Sequence, residues 1–137
     1  MDAHLLEDGL KVDIDFSKLQ KIAAQSEAVV PVVVQDALSG EVLILAYANA
    51  LALSESLKRK QAVFWSTSRN ELWVKGATSG CPLTLVEVRV NCEQNSLLYR
   101  VEVSGEGACH TRDGAGRYRK SCYYRTLVNA RELKWAE

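Results

Sequence analysis

The residues best equipped for chemistry in this 137-residue chain are Cys92, Cys109 and Cys122, together with His110 beside the second of them. They form no CxxC knuckle: intervals of 17 and 13 residues separate them, each lies next to a turn signal, and only the fold or a partner chain can bring them together. A structural zinc site normally takes four protein ligands, whereas a catalytic one takes three and leaves a position for water. Three cysteines therefore favour an open site, provided that Cys81 stays away from it. Zinc brings the pKa of a bound water toward roughly 7. Three thiolates weaken that effect by donating charge, so a base nearby would help, and the imidazole of His110 is a candidate for moving protons. The plainer alternatives are that the cysteines are small core residues and that His110 is a turn histidine bonded to backbone.

A second group surrounds a glycine-bearing loop. Trp65, Ser66, Ser68 and Arg69, then Trp73, Lys75, Thr78, Ser79 and Gly80, supply indoles, hydroxyls, two cations and a flexible backbone. That inventory suits a phosphorylated aromatic ligand, with hydroxyls, backbone N–H groups and cations on phosphate and an indole against a base. Core tryptophans beside a solvated turn would use the same residue types.

The composition narrows the surroundings in which such sites can work. Seventeen Lys plus Arg balance seventeen Asp plus Glu, which gives no general electrostatic case for nucleic acid or an anionic membrane as partner. An anionic ligand must then be met by a local site. With 47% apolar residues, the length suits one domain with its own core. The acidic start (Asp2, Glu7, Asp8) is unlike a secretory signal, and no apolar run approaches the roughly 20 residues that span a bilayer. A cytoplasmic protein is expected, where disulfides are rare and grouped cysteines serve metals or catalysis.

The elements that must position these residues are mostly strands. Residues 1–28 read as an arm with a short helix, since Phe16, Leu19, Ile22 and Ala23 follow helical spacing. Residues 29–36 form a β-branched strand with Pro31 confined to its start or an edge. Residues 42–48 form a second, buried on both faces, which pairs with the first as a hairpin. Asn49 caps the one main helix, over 50–60, with Leu53 and Leu57 facing the sheet. Strands follow over 62–67, 72–75, 82–90 and 96–103. In the third of these, Thr84, Val86, Val88 and Val90 are the expected core face. A last short strand is expected over 121–125, then a charged tail over 126–137. The fold class is mainly β (α+β), with the domain proper over residues 29–125.

Taken as an ordered set, the motifs resemble those of the phosphoribosyl-AMP cyclohydrolase family of histidine biosynthesis. The matching features are Leu45-Ala46-Tyr47 with Asn49, Trp65-Ser66-Thr67-Ser68-Arg69, Leu72-Trp73 with Lys75-Gly76, and Thr78-Ser79-Gly80. They continue with the Cys92 turn, Cys109-His110-Thr111 and Ser121-Cys122-Tyr123-Tyr124-Arg125. The resemblance implies a homodimer with a folded mixed sheet or pseudo-barrel and active sites at the interface. It implies zinc held by Cys92, Cys109 and Cys122 drawn from both chains. It further implies hydrolytic opening of the adenine ring of phosphoribosyl-AMP, by water adding at C6 and the bond to N1 breaking. The alternatives are a hydrolase of another purine nucleotide and a non-catalytic, zinc-stabilised nucleotide-binding dimer.

The resemblance also implies magnesium, and here the chain departs from the pattern. The usual Asp-Cys-Asp-x-Asp turn is Asn91-Cys92-Glu93-Gln94-Asn95, with one carboxylate left. Magnesium uses carboxylates to offset its charge, so weakened affinity, or an ion arriving with substrate phosphate, is expected. The stretch between Cys109 and Cys122 is longer than the common form and adds Arg112, Arg117, Arg119 and Lys120, which could neutralise phosphate in place of a divalent ion or simply be a solvated loop.

Overall fold

Alternation of packed and exposed side chains turns the apolar runs into a sheet. The computed structural model describes residues 3–25, 27–76 and 80–136. The order is α1 (Ala3–Asp8), α2 (Lys18–Gln25), β1 (Val30–Asp36), β2 (Val42–Ala48), α3 (Ala50–Arg59), β3 (Val63–Ser66), β4 (Glu71–Val74), β5 (Leu83–Val90), β6 (Leu97–Val103), β7 (Arg125–Leu127) and β8 (Leu133–Trp135). The class is mixed α+β with strands in the majority, as expected. Strands β2-β1-β6-β5 form one mixed sheet, while β3–β4 and β7–β8 are separate hairpins.

β1 pairs antiparallel with β2 and parallel with β6. The β6 register begins at Val32, so Pro31 sits before it, where its missing N–H breaks no bond to β6. Val32, Val34, Leu43, Phe64, Leu83, Tyr99 and Val101 are fully buried, and burying side chains of this size contributes roughly 1.5–3 kcal/mol each. α3 begins where Asn49 accepts a bond from the Ala52 N–H at 2.8 Å, the expected cap.

Four expectations about these elements need correcting. Thr84 and Val86 in β5 are exposed, while Leu83 and Leu85 face inward. A bulge between Leu85 and Glu87 inserts Val86 as an extra residue and reverses the parity, so Val88 does reach the core. α3 turns Ala52 and Ser56 to the core, not Leu53 and Leu57; Leu53 flanks it and Leu57 is exposed. Small residues let the helix approach, and Ser56 Oγ is fully used: it donates to the Ala52 carbonyl (2.8 Å) and accepts from the Val63 N–H (3.0 Å). β2 is buried on one face only, with Val42 and Leu45 exposed. Residues 121–124 are not a strand, because Cys122 N–H donates to the Leu43 carbonyl at 2.8 Å and Ser121 Oγ to that of Val42 at 2.8 Å. The strand starts later, at Arg125, and the charged tail folds back as the β7–β8 hairpin with Trp135 stacked on Tyr124.

Candidate functional site

The stretch between Cys109 and Cys122 is a pinned hairpin. Ala108 and Cys109 N–H donate to the carbonyls of Lys120 and Arg119, each at 3.0 Å, and Arg119 N–H returns to the Thr111 carbonyl at 3.0 Å. Asp113 closes the tip by accepting from the N–H groups of Ala115 (2.9 Å) and Arg117 (3.0 Å). The two arms approach so closely that a Cβ on Gly107 would strike the backbone of Arg119 and Lys120. Three of the four cations of this stretch are engaged within the chain. Arg112 lies on the Tyr118 ring, Arg119 pairs with Asp8, and Lys120 pairs with Asp36 (2.9 Å) and Glu41 (3.2 Å).

Folded this way, the hairpin sets the thiols of Cys109 and Cys122 side by side. Cys109 is 2% exposed. Its pKa is lowered to about 5, first by the bond from Cys122, then by the Thr111 hydroxyl and backbone N–H, while burial opposes the shift. The same bond and burial push the Cys122 thiol up. A soft cation that displaced their protons would meet two neighbouring thiolates.

Lys75 is buried beside this pair. Burial pushes its pKa down, and the neighbouring Cys122, Cys81 and Cys109 pull it up. Its Nζ lies 5.9 Å from the Trp73 ring centre, so this cation faces the thiols. Cys81 is buried nearby, in contact with the Gly105 backbone region. Gly76 has a φ of +91° and abuts Pro82 so tightly that no side chain fits there.

Cys92 lies elsewhere. It is exposed in the turn joining β5 to β6, whereas the Cys122 contact to Leu43 is toward the far end of the sheet, and a seven-residue strand such as β6 spans roughly 20 Å. Among the described residues, no three metal-ligating side chains converge. Two of the three cysteines therefore come together within the chain and the third does not. The pair suits a soft cation such as zinc as part of a ligand set.

The turn at Cys92 is closed by amides. Asn91 Oδ1 accepts from the N–H groups of Asn95 and Ser96, both at 2.9 Å, and Asn91 Nδ2 donates to Asn95 Oδ1 at 2.6 Å. Glu93 is exposed and is the one carboxylate of the three positions. Two amides bonded to each other and one free carboxylate do not fit a magnesium ion, which asks for oxygens that offset its charge.

His110 is exposed, with Nε2 2.7 Å from Glu7 Oε2 on α1. The β3–β4 turn carries the other candidates: Trp65 Nε1 donates to Asn70 Oδ1 (3.3 Å), Ser66 and Ser68 hydroxyls lie 3.4 Å apart, and Arg69 Nε donates to Ser66 Oγ (3.4 Å). Arg69 also faces Glu71 at 3.6 Å, in the open. Trp73 packs against Phe64, its ring centre 5.4 Å away. Thr78 and Ser79 lie outside the described residues, and Gly80 is exposed with a φ of +76°. Arg69 and Lys75 thus stand at opposite ends of the hairpin.

Sequence reasoning missed one contributor, Asp36, and named a second, Arg119, only as a cation for phosphate. Asp36 is buried, accepts from Leu38 N–H and Ser39 Oγ, and pairs with Lys120, which holds its carboxyl at about 2. Arg119 reaches back to Asp8 and to Thr111. The Asp-x-x-Ser-Gly turn signal at 36–40 was available for the first; nothing local announces the second.

A model of the phosphoribosyl-AMP cyclohydrolase family matches residues 44–124. The chain is 46% identical over 95 residues to a phosphoribosyl-AMP cyclohydrolase of Hyphomonas neptunium, covering 69% of this chain and 67% of that one. Against one of Haloquadratum walsbyi it is 42% identical over 121 residues, or 88% and 80% of the two chains. A histidine biosynthesis bifunctional protein HisIE of Deinococcus radiodurans is 46% identical over 110 residues, 80% of this chain and 47% of that protein. The chain thus spans about half the length of the bifunctional relative.

Proposed function

The chain belongs to the phosphoribosyl-AMP cyclohydrolase family of enzymes, and from that premise we propose that it opens the adenine ring of phosphoribosyl-AMP, in histidine biosynthesis, at a zinc held across a homodimer. The observation that carries this reading is the pairing of buried Cys109 with half-buried Cys122, within the matched residues and with Cys92 at a distance that a second chain would have to bridge. A site completed by the partner's cysteine suits a two-fold dimer, in which each surface serves once as donor and once as acceptor.

Zinc, when bound, would supply a Lewis acid and a water acidic enough to act near neutral pH. The chain's own residues do the rest. Cys109 and Cys122 enter as thiolates, and Lys75 beside them offsets part of their charge. An indole from Trp65 or Trp73 offers a face to the adenine ring. Ser66, Ser68 and Arg69, at the far end of the β3–β4 hairpin, hold phosphate, so that binding energy remote from C6 fixes the ring against the thiol pair. Thr78, Ser79 and Gly80, which follow Lys75 in the chain, would supply further donors to the nucleotide. His110, with Glu7 accepting at Nε2, moves the proton between water and N1. No step passes through magnesium, whose expected ligands are two amides and one carboxylate here.

The test joins metal analysis to turnover. Purified protein carries about one zinc per chain and bleaches the adenine-type absorbance of phosphoribosyl-AMP without added magnesium. A zinc-loaded dimer that shows no turnover, with magnesium present or absent, contradicts the reading. Ring opening of a different purine nucleotide in the same assay would move it to that substrate.

A further inference from the structure

A row of side chains behind Cys109 is not used by the ring-opening chemistry. Arg119 Nη2 donates to Asp8 Oδ1 at 2.9 Å, and Arg119 Nη1 donates to Thr111 Oγ1 at 3.0 Å. Thr111 Oγ1 lies 2.9 Å from Cys109 Sγ, and the Thr111 backbone N–H reaches the same sulfur at 3.4 Å. The row is buried where it matters: Thr111 is 8% exposed, and the Arg119 side chain 13%.

Its direction follows from the donor inventory. A guanidinium has no acceptor, so Arg119 fills an acceptor site of the Thr111 oxygen. The single hydroxyl proton is then left to face Cys109. Arg119 has little freedom to turn away, since its guanidinium carbon stands 4.1 Å from the Tyr124 ring centre and 5.3 Å from that of Trp135. One end of α1, the 108–120 hairpin and β8 therefore meet at one guanidinium, whose far side ends at a sulfur.

We propose that Arg119, anchored by Asp8 and stacked on Tyr124 and Trp135, is a positioning residue that fixes the Thr111 hydroxyl as a donor to Cys109, and so sets how strongly that sulfur gives charge to the metal. This rests on the reading of Cys109 as a zinc ligand. Thiolates quench the acidity that zinc confers by donating charge, and a hydrogen bond to the sulfur withdraws some of it. The stretch between Cys109 and Cys122 thereby gains a role: it carries the residue that holds this bond in place.

Cobalt(II) in place of zinc makes the sulfur visible through its thiolate-to-metal band in the near ultraviolet. In the purified protein, Thr111→Val and Arg119→Gln should both move that band to longer wavelength, because the sulfur lone pairs lose a donor, while Thr111→Ser keeps the native band. Zinc affinity, measured by competition with a chromogenic chelator, should fall ~10-fold in the two shifted variants. If Arg119→Gln does not fold, Asp8→Ala loosens Arg119 from outside and should give a smaller shift of the same sign. An Arg119→Gln or Asp8→Ala band that coincides with the native one overturns the proposal, as does a Thr111→Ser band shifted as far as that of Thr111→Val. A native protein without any such band removes the zinc reading and this inference together; a native band that no substitution moves removes the inference alone.

Discussion

Cys109 and Cys92 are the same residue type in the same chain, and the fold treats them in opposite ways. Around Cys109 the sulfur is buried beside Cys122, hydrogen-bonded by Thr111, and fixed from behind by Arg119. Around Cys92 the sulfur is exposed on a β-turn whose bonds all serve the turn itself, through Asn91 and Asn95. The difference teaches what each half of the proposed shared metal site would require. The buried half is preorganised, so it gives its charge and geometry within one chain. The exposed half needs only a stable turn that holds a thiol outward, and it is where amides stand at two of the three positions that the family resemblance gives to magnesium.

The comparison breaks most visibly at the buried half. Cys109→Ser should abolish zinc binding and turnover together, because a hydroxyl is a poor zinc ligand and the partner thiol then stands alone. Zinc retained at native stoichiometry in that variant would show that Cys109 is not a ligand. At the exposed half the expected effect is a gain. Asn91→Asp with Asn95→Asp restores two carboxylates beside Glu93, and magnesium binding, followed by calorimetry, should appear or tighten. The exchange costs about 1 kcal/mol of folding stability through the lost Asn91–Asn95 bond. No change in magnesium affinity would mean that the turn is not the family's magnesium position in this chain.

The smallest effect concerns pH. Asp36, whose carboxyl is held at about 2 chiefly by Lys120, ties β1 to the residue two places before Cys122. A carboxylate with a depressed pKa in the folded state contributes stability above its unfolded value, and that contribution is lost as pH falls toward 2. Melting temperatures between pH 5 and 2 should therefore fall more steeply in the native protein than in Asp36→Asn. The amide-closed Cys92 turn should add nothing to the slope, since replacing Asn91 by Ala lowers stability equally at both ends of that range. Parallel acid profiles of native protein and Asp36→Asn would remove this distinction between the halves.

Much of this contrast could be read from the chain. Alternation and β-branching mark β1, β5 and β6, and Asn49 marks the start of α3, because these signals are local. The inward face of β5 could not be read, since one bulged residue at Val86 reverses parity without any Gly or Pro to announce it. α3 misled for another reason: Leu53 and Leu57 are the larger apolar residues, but close packing and a satisfied hydroxyl favour Ala52 and Ser56. At the site, residue types and order identify the cysteines. That Cys109 and Cys122 meet while Cys92 stands apart depends on sheet topology, and the reach of Arg119 to Asp8 across 111 residues has no sequence signal at all.

Complementation between inactive variants tests the shared site most directly. Cys92→Ser and Cys109→Ser are each expected to be inactive, but a mixed dimer of the two contains one site with an intact Cys92 from one chain and an intact Cys109–Cys122 pair from the other. After unfolding and refolding as an equal mixture, turnover and bound zinc should recover to about a quarter of native, as half the dimers are mixed and each holds one complete site of two. Mixtures as inactive as either parent would contradict a zinc shared between chains.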